Sequence, residues 1–150
     1  MTKIIKTKCN EDGFKYVRAV RDEVFVNEQG IAPAEESDEY DGDVNTDFFV
    51  LLEDGRAVAT ARAAYMPKGV KLGRIAVLSE CRGKHYGATV VSRALSELFE
   101  SGEPCVYLES QLHAVGFYER LGFRVNGEQL VDRGILHLPM IITPDTFKGE

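Results

Sequence analysis

Arg74-Ile75-Ala76-Val77-Leu78-Ser79-Glu80-Cys81-Arg82-Gly83-Lys84-His85-Tyr86-Gly87-Ala88 is the stretch that decides the fold. An apolar strand runs into a short basic loop holding two glycines, and the loop runs directly into a long amphipathic helix. A helix N-terminus presents unpartnered amides and a partial positive charge, so this junction is suited to an anion. Gly83 and Gly87 let backbone come close to a ligand, while Arg82 and Lys84 add positive charge. The Gly-x-x-x-x-Gly-Lys-Ser/Thr spacing of a Walker phosphate loop is absent, and turns with two glycines also arise for purely structural reasons.

Beyond that helix lies a short strand, Cys105-Val106-Tyr107-Leu108-Glu109-Ser110. The following segment, Gln111 to Phe123, has the spacing of a second short helix ended by Gly122. Within it, Ala114 to Phe123 spells Ala-x-x-Phe-Tyr-x-x-Leu-Gly-Phe.

The Arg82-to-Ala88 loop and the Ala114-to-Phe123 segment, in this order, resemble the two signatures of the GNAT superfamily of N-acetyltransferases. His85 stands where that family usually has glycine, and a left-handed backbone there would strain a histidine. The segment Arg21 to Gln29 with the acidic loop after it, and the tail Asp132 to Met140, are similar to the ElaA-like branch. Most members of that branch are acyltransferases whose acceptors are not established. The resemblance covers essentially the whole chain and implies one N-acetyltransferase domain over residues 1–150. It implies an α/β fold with a mixed, mostly antiparallel central sheet flanked by helices. In that fold the fourth and fifth strands splay apart to admit the pantetheine arm.

The donor implied is acetyl-coenzyme A, with coenzyme A as product. Its site would comprise Ile75, Ala76, Val77, Arg82, Gly83, Lys84, His85, Tyr86, Gly87, Ala88, Gln111, Phe117, Tyr118 and Arg120. A backbone N–H near Ala76 and Val77 would face the oxyanion, and Tyr118 would protonate the departing thiolate. This is direct transfer in a ternary complex, favoured over an acyl-enzyme on Cys81 or Cys105. Tyr118 equally suits a buried stripe with Val115 and Leu121.

The remaining pattern gives one domain without repeats or linkers. Lys3 to Thr7 alternates as a strand, and Asn10, Glu11 and Asp12 precede a helix carrying Phe14, Val17, Val20 and Val24 that stops near Gly30. Asp47 to Leu52, Ala57 to Tyr65 and Val70 to Leu78 are three strands joined by Asp54-Gly55 and Pro67-Lys68-Gly69 turns. Val90, Val91, Ala94, Leu95, Leu98 and Phe99 share one face of the helix after the loop. Phe123 to Val125 and Ile135 to Ile142 complete the sheet, with Pro139 expected at an edge or a bulge.

A net charge of −6 argues against nucleic acid as the main partner. Three cysteines without metal or redox spacing suggest reduced thiols and a cytoplasmic address. No signal peptide opens the sequence and no apolar run reaches membrane-spanning length. His85 and His113 lack metal-ligand spacing, so no metal is expected. GNAT proteins are often dimers, which leaves a homodimer open here.

The acceptor side is the least defined. Glu35, Glu36, Asp38, Glu39, Asp41 and Asp43 form an acidic loop without lysine or arginine. It either attracts a cationic amine or is a solvated loop. Glu28 and His137 are candidate bases, and the branch resemblance makes Glu28, Asp38, Asp41 and His137 acceptor-site candidates. Three functions fit: an N-acetyltransferase acting on a small-molecule or peptide amine, a related enzyme with a longer acyl donor, and a noncatalytic acyl-coenzyme A-binding or interaction module.

Overall fold

Alternation at the N-terminus becomes β1 (Thr2–Thr7), the edge of an eight-stranded sheet. The structure is a computed structural model that describes residues 1–149. Helix α1 (Phe14–Arg21) buries Val17, Val20 and Arg21 and has no side-chain cap. The carboxylate of Glu11 instead accepts from the Lys8 amide, so Asn10 to Asp12 form a turn ahead of the helix rather than its cap. From Asp22 to Glu28 the helix widens into a π-turn, a form that concentrates at functional sites.

The acidic loop is more ordered than its composition suggests. It contains a one-turn helix α2 (Pro33–Glu36) and a 3-10 turn, Glu39–Gly42. The 3-10 turn is capped reciprocally: Asp38 accepts from the Tyr40 amide, and Asp41 accepts from the Asp38 amide.

Strands β2 (Asp47–Glu53), β3 (Arg56–Met66) and β4 (Gly69–Val77) follow as an antiparallel meander. Thr60 pairs with Ala76 and Arg62 with Gly73, so β4 carries one extra residue there. Arg74, in a left-handed conformation at φ 47°, marks this bulge. After a short 3-10 turn, α3 (Tyr86–Glu100) buries Val90, Val91, Ala94, Leu95 and Leu98. Strand β5 (Val106–Gln111) then joins β4 in parallel, but only through Val70 with Val106 and Lys71 with Tyr107. Beyond those pairs the two strands diverge, which is the splay that the family resemblance implied.

Helix α4 (Val115–Leu121) leads into β6 (Arg124–Val125), β7 (Leu130–Asp132) and β8 (Ile135–Ile142). The sheet order is β1-β2-β3-β4-β5-β8-β6, with β7 also on β8. Strand β7 has no counterpart in the sequence reading, because Leu130 to Asp132 is too short to show alternation. Pro139 is on an interior strand, opposite Glu109 of β5, rather than at an edge. Its carbonyl accepts from Asn126, where the β6 ladder has ended and β7 has not begun, so the missing N–H breaks no pairing.

Helices cover both sheet faces. Phe14 of α1 packs edge-on against Phe48 at 5.0 Å, and Phe48, Phe49, Val50 and Leu51 are all buried. The segment after β8 returns under α4: the Lys148 amide donates to the Leu121 carbonyl, and Phe147 meets Phe99 at 5.7 Å. Gly122 ends α4 at φ 115°, and a Cβ there would lie 2.0 Å from the Thr146 carbonyl oxygen, so only glycine fits. No helix among the described residues is long and apolar enough to cross a membrane.

Candidate active site

Gly83 (φ 87°) and His85 (φ 64°) both take left-handed backbone, and together they turn the chain sharply into α3. His85 therefore accepts the conformation for which glycine is the unstrained choice. Helix α3 starts at Tyr86 with no side-chain cap, which leaves its first-turn amides for an outside acceptor. Uncapped amides at the start of a fifteen-residue helix fit the pyrophosphate of an acyl-coenzyme A.

The loop forms one wall of a cleft of about 650 Å3. Ile75, Ala76 and Val77 form the strand side, while Arg82, Gly83, His85, Tyr86, Gly87 and Ala88 form the loop side. Phe117 and Tyr118 close it from α4. A Cβ on Gly87 would sit 3.4 Å from Val77 and 3.5 Å from Phe117, so the glycine keeps the floor open. Three residues expected at the donor site do not line this cleft. Gln111 ends β5 opposite His137, Arg120 is on the exposed side of α4, and the Lys84 ammonium lies 5.9 Å over the Tyr86 ring.

Tyr118 is held by two edge-on contacts, to Phe117 at 5.0 Å and Phe123 at 5.6 Å. Among the described residues nothing hydrogen-bonds its hydroxyl, and burial pushes its pKa up to about 12. A phenol in that state stays protonated at neutral pH, as a proton donor must. The Tyr86 hydroxyl, by contrast, donates to the Glu53 carboxylate, and that bond raises its pKa to about 12. Cys9, Cys81 and Cys105 are free thiols.

The acceptor-side candidates separate. Glu28 reaches the donor loop, where both its oxygens accept from Arg82 at 2.7 and 2.8 Å. The hydrogen bond from Arg82 lowers the pKa of its carboxyl and ties Glu28 to the donor loop. Asp41 is 7 % exposed and committed to protein partners. Arg21 reaches it at 2.7 and 2.9 Å, and Arg62 at 3.1 Å. Burial alone would raise the Asp41 pKa, but the two guanidiniums and the Asp38 amide hold it well below the ordinary carboxylate value. Asp38 is half-buried between Arg62 (2.7 Å) and Arg74 (3.3 Å). His137 lies opposite Gln111 on β8, and its Nδ1 is 2.9 Å from the Ile135 carbonyl, to which it donates.

The acidic loop is therefore not a free negative lip. Glu36, 1 % exposed, accepts from Arg21 at 2.6 Å and Arg18 at 2.7 Å. The only sequence signal for this network is that Arg21 falls four residues after Val17 and three before Val24, on the buried stripe of α1. Val24, Gln29, Cys81, His113 and Ala114 also line the cleft and were not anticipated. Val24 and Gln29 are brought there by the π-turn and the turn after it, neither of which has a local sequence signature.

Comparison with known proteins agrees with this architecture. The acetyltransferase (GNAT) domain family matches residues 5–144. The chain belongs to the GNAT superfamily. It is similar to YjcF of Bacillus subtilis, described as an uncharacterized N-acetyltransferase, with 34 % identity over 88 % of this chain and 94 % of the relative. The crystal structure of Escherichia coli ElaA superposes with a TM-score of 0.81 at 25 % identity, covering 95 % of this chain and 99 % of that one. An acyl-CoA N-acyltransferase from Pseudomonas aeruginosa also gives 0.81, at 26 % identity over 94 % and 99 % of the two chains. This GNAT protein is thus an acyltransferase of the ElaA-like branch.

Proposed function

We propose that the protein transfers an acetyl group from acetyl-coenzyme A to a primary amine of a small molecule or peptide. The observation that carries this reading is the convergence on one cleft of the uncapped α3 N-terminus, the diverging β4 edge and Tyr118. Bound acetyl-coenzyme A supplies an acetyl thioester, and the residues present do the rest. The loop amides and α3 dipole hold the pyrophosphate, with Arg82 beside them once the phosphate competes with Glu28 for it. A backbone N–H of the Ile75-to-Val77 edge faces the developing oxyanion. The amine nitrogen attacks the carbonyl carbon, the N–C bond forms and the C–S bond breaks. Tyr118 gives its proton to the departing sulfur, the nitrogen releases its own to water, and water returns a proton to the Tyr118 phenolate.

The test has two parts. Thermal unfolding with desulfo-coenzyme A and with ATP reads donor recognition; a ligand at about a hundred times its Kd adds roughly 2.7 kcal/mol. Thiol release from acetyl-, butyryl- and octanoyl-coenzyme A with an amine panel reads transfer and chain length. Stabilisation by the coenzyme A analogue alone, with acetyl as the preferred acyl group, supports the reading. A preference for octanoyl overturns the acetyl assignment, and stabilisation without transfer overturns the enzymatic one.

A further inference from the structure

Two guanidiniums donate to backbone carbonyls of the acidic loop, and one of them, Arg74, also pairs with the Asp38 carboxylate. Arg74 lies at the β4 bulge, immediately before the cleft-lining Ile75, and its Nε donates to the Glu36 carbonyl at 3.1 Å. Arg133, at φ 53° in the turn between β7 and β8, donates to the neighbouring Glu35 carbonyl at 2.5 Å. Two cations from opposite sides of the sheet opening thus meet at consecutive carbonyls of one loop.

The carboxylates around them are largely taken. Glu36 is bound by Arg21 and Arg18 at 2.6 and 2.7 Å, and it stands 3.8 Å from Arg74. Asp38 is bound by Arg62 at 2.7 Å and stands 3.3 Å from Arg74, while Asp41 is bound by Arg21 and Arg62. Glu109, across the splay, pairs with Lys71 at 3.2 Å. Glu35 offers Arg133 its carbonyl, and no ion pair to its carboxylate forms. Arg74 therefore has the longest contacts in the cluster, and its side chain is 22 % exposed. Burial and the adjacent Arg62 lower its pKa, while Asp38 and Glu36 act the other way. A guanidinium presents its donors in a fork that matches a carboxylate; in the contacts above Arg74 uses Nε and one Nη, and Arg133 uses one Nη.

We propose that Arg74 and Arg133 form the anion-binding half of the acceptor site, so that the acceptor is an amine that also bears a carboxylate. That the occupant is the acceptor rests on the acetyl-transfer reading; that the occupant is anionic does not.

The experiment uses matched pairs of probes, L-phenylalanine with phenethylamine and L-lysine with cadaverine. Each is titrated into protein labelled with 15N-arginine while the Nε–Hε signals are followed, and each is then assayed for acetyl transfer. The acids should move the Arg74 and Arg133 signals and the decarboxylated amines should not. The acids should also be preferred by roughly tenfold or more in kcat/KM, the usual scale of a charge-assisted pair. Arg133→Gln, on an exposed turn, should raise KM for the acids and erase the preference with kcat little changed; Arg74→Gln should do the same if it folds. If neither signal responds to an acid, or both amines of a pair act alike, the anion site is overturned. Arginine shifts without transfer would leave the anion site standing and sink the acetyltransferase reading. Transfer to decarboxylated amines without arginine shifts would do the reverse.

Discussion

Glu28 and Arg82 form a two-point ion pair, with Oε2–Nη1 at 2.7 Å and Oε1–Nη2 at 2.8 Å, that bridges the end of the π-turn and the donor loop. Arg82 also donates from Nε to the Val77 carbonyl at 3.1 Å, so its side chain spans the mouth of the cleft. A pyrophosphate arriving there competes with Glu28 for the guanidinium. Glu28→Gln should therefore tighten desulfo-coenzyme A binding several-fold at low salt, and Arg82→Gln should weaken it. Calorimetric titration at two ionic strengths checks this, because exposed charge effects shrink with salt. Weaker binding in Glu28→Gln would mean that the acid aims Arg82 at the ligand.

Tyr118→Phe should lower kcat on the order of a hundredfold while donor affinity stays within twofold, the usual signature of a lost general acid. The folded fluorescence and melting midpoint should hardly change, because the ring contacts to Phe117 and Phe123 survive. Full turnover in the variant would remove Tyr118 from the chemistry. The same phenol makes a pH prediction. Its folded pKa, about 12, lies above the ordinary value of about 10, so the protonated form is favoured by folding. The stabilisation is complete below pH about 10 and is lost as pH rises through about 12. Difference ultraviolet titration of wild type against Tyr118→Phe should show the missing phenol ionising late.

His85→Gly should stabilise the protein by up to about 1 kcal/mol, because glycine takes left-handed backbone without a Cβ clash. That corresponds to a rise of roughly 2–4 °C in Tm at this chain length. His85→Ala keeps the Cβ and should give no such gain, so the two variants separate backbone strain from loss of the imidazole. A donor affinity that drops in both would show the ring touching the ligand.

Acid should unfold the loop network first. Glu36 and Asp41 have folded pKa values depressed by Arg21, Arg18 and Arg62, so their contribution is complete above the unfolded values of about 4.3 and 3.9. It is lost as pH falls through the lower folded values. Melting midpoints measured from pH 7 downwards should hold to about pH 4.5 and then drop steeply. Arg21→Met leaves two buried carboxylates without their main partner and should cost about 3–5 kcal/mol. A loss under about 1 kcal/mol would show that the buried pairs contribute little net stability.

The strand-loop-helix junction and the Ala114-to-Phe123 motif were legible because their chemistry is local: the glycines, basic residues and helical spacing sit together in the chain. The Asp54-Gly55 and Pro67-Lys68-Gly69 turns likewise gave the meander and helical spacing gave α1 and α3, while the donor residues were implied only by the family resemblance. The acceptor side depends on long-range pairing, which composition cannot show. Glu36 and Arg21 are fifteen residues apart and Arg133 and Glu35 ninety-eight, so an acidic run that suggests a negative surface in fact has Glu36, Asp38 and Asp41 paired with arginines. Pro139 teaches the same lesson for strands: its position is decided by where two neighbouring ladders stop, not by its own segment.

The close fit of Gly122 under the Thr146 carbonyl ties the end of the helix that carries Tyr118 to the last residues of the chain. Proteolytic clipping after Thr143 would unseat Phe147 and the Lys148 contact and loosen α4 from below. Activity would then fade while the donor loop, on the other wall, still captured its ligand, which makes the tail a remote handle on the proton donor.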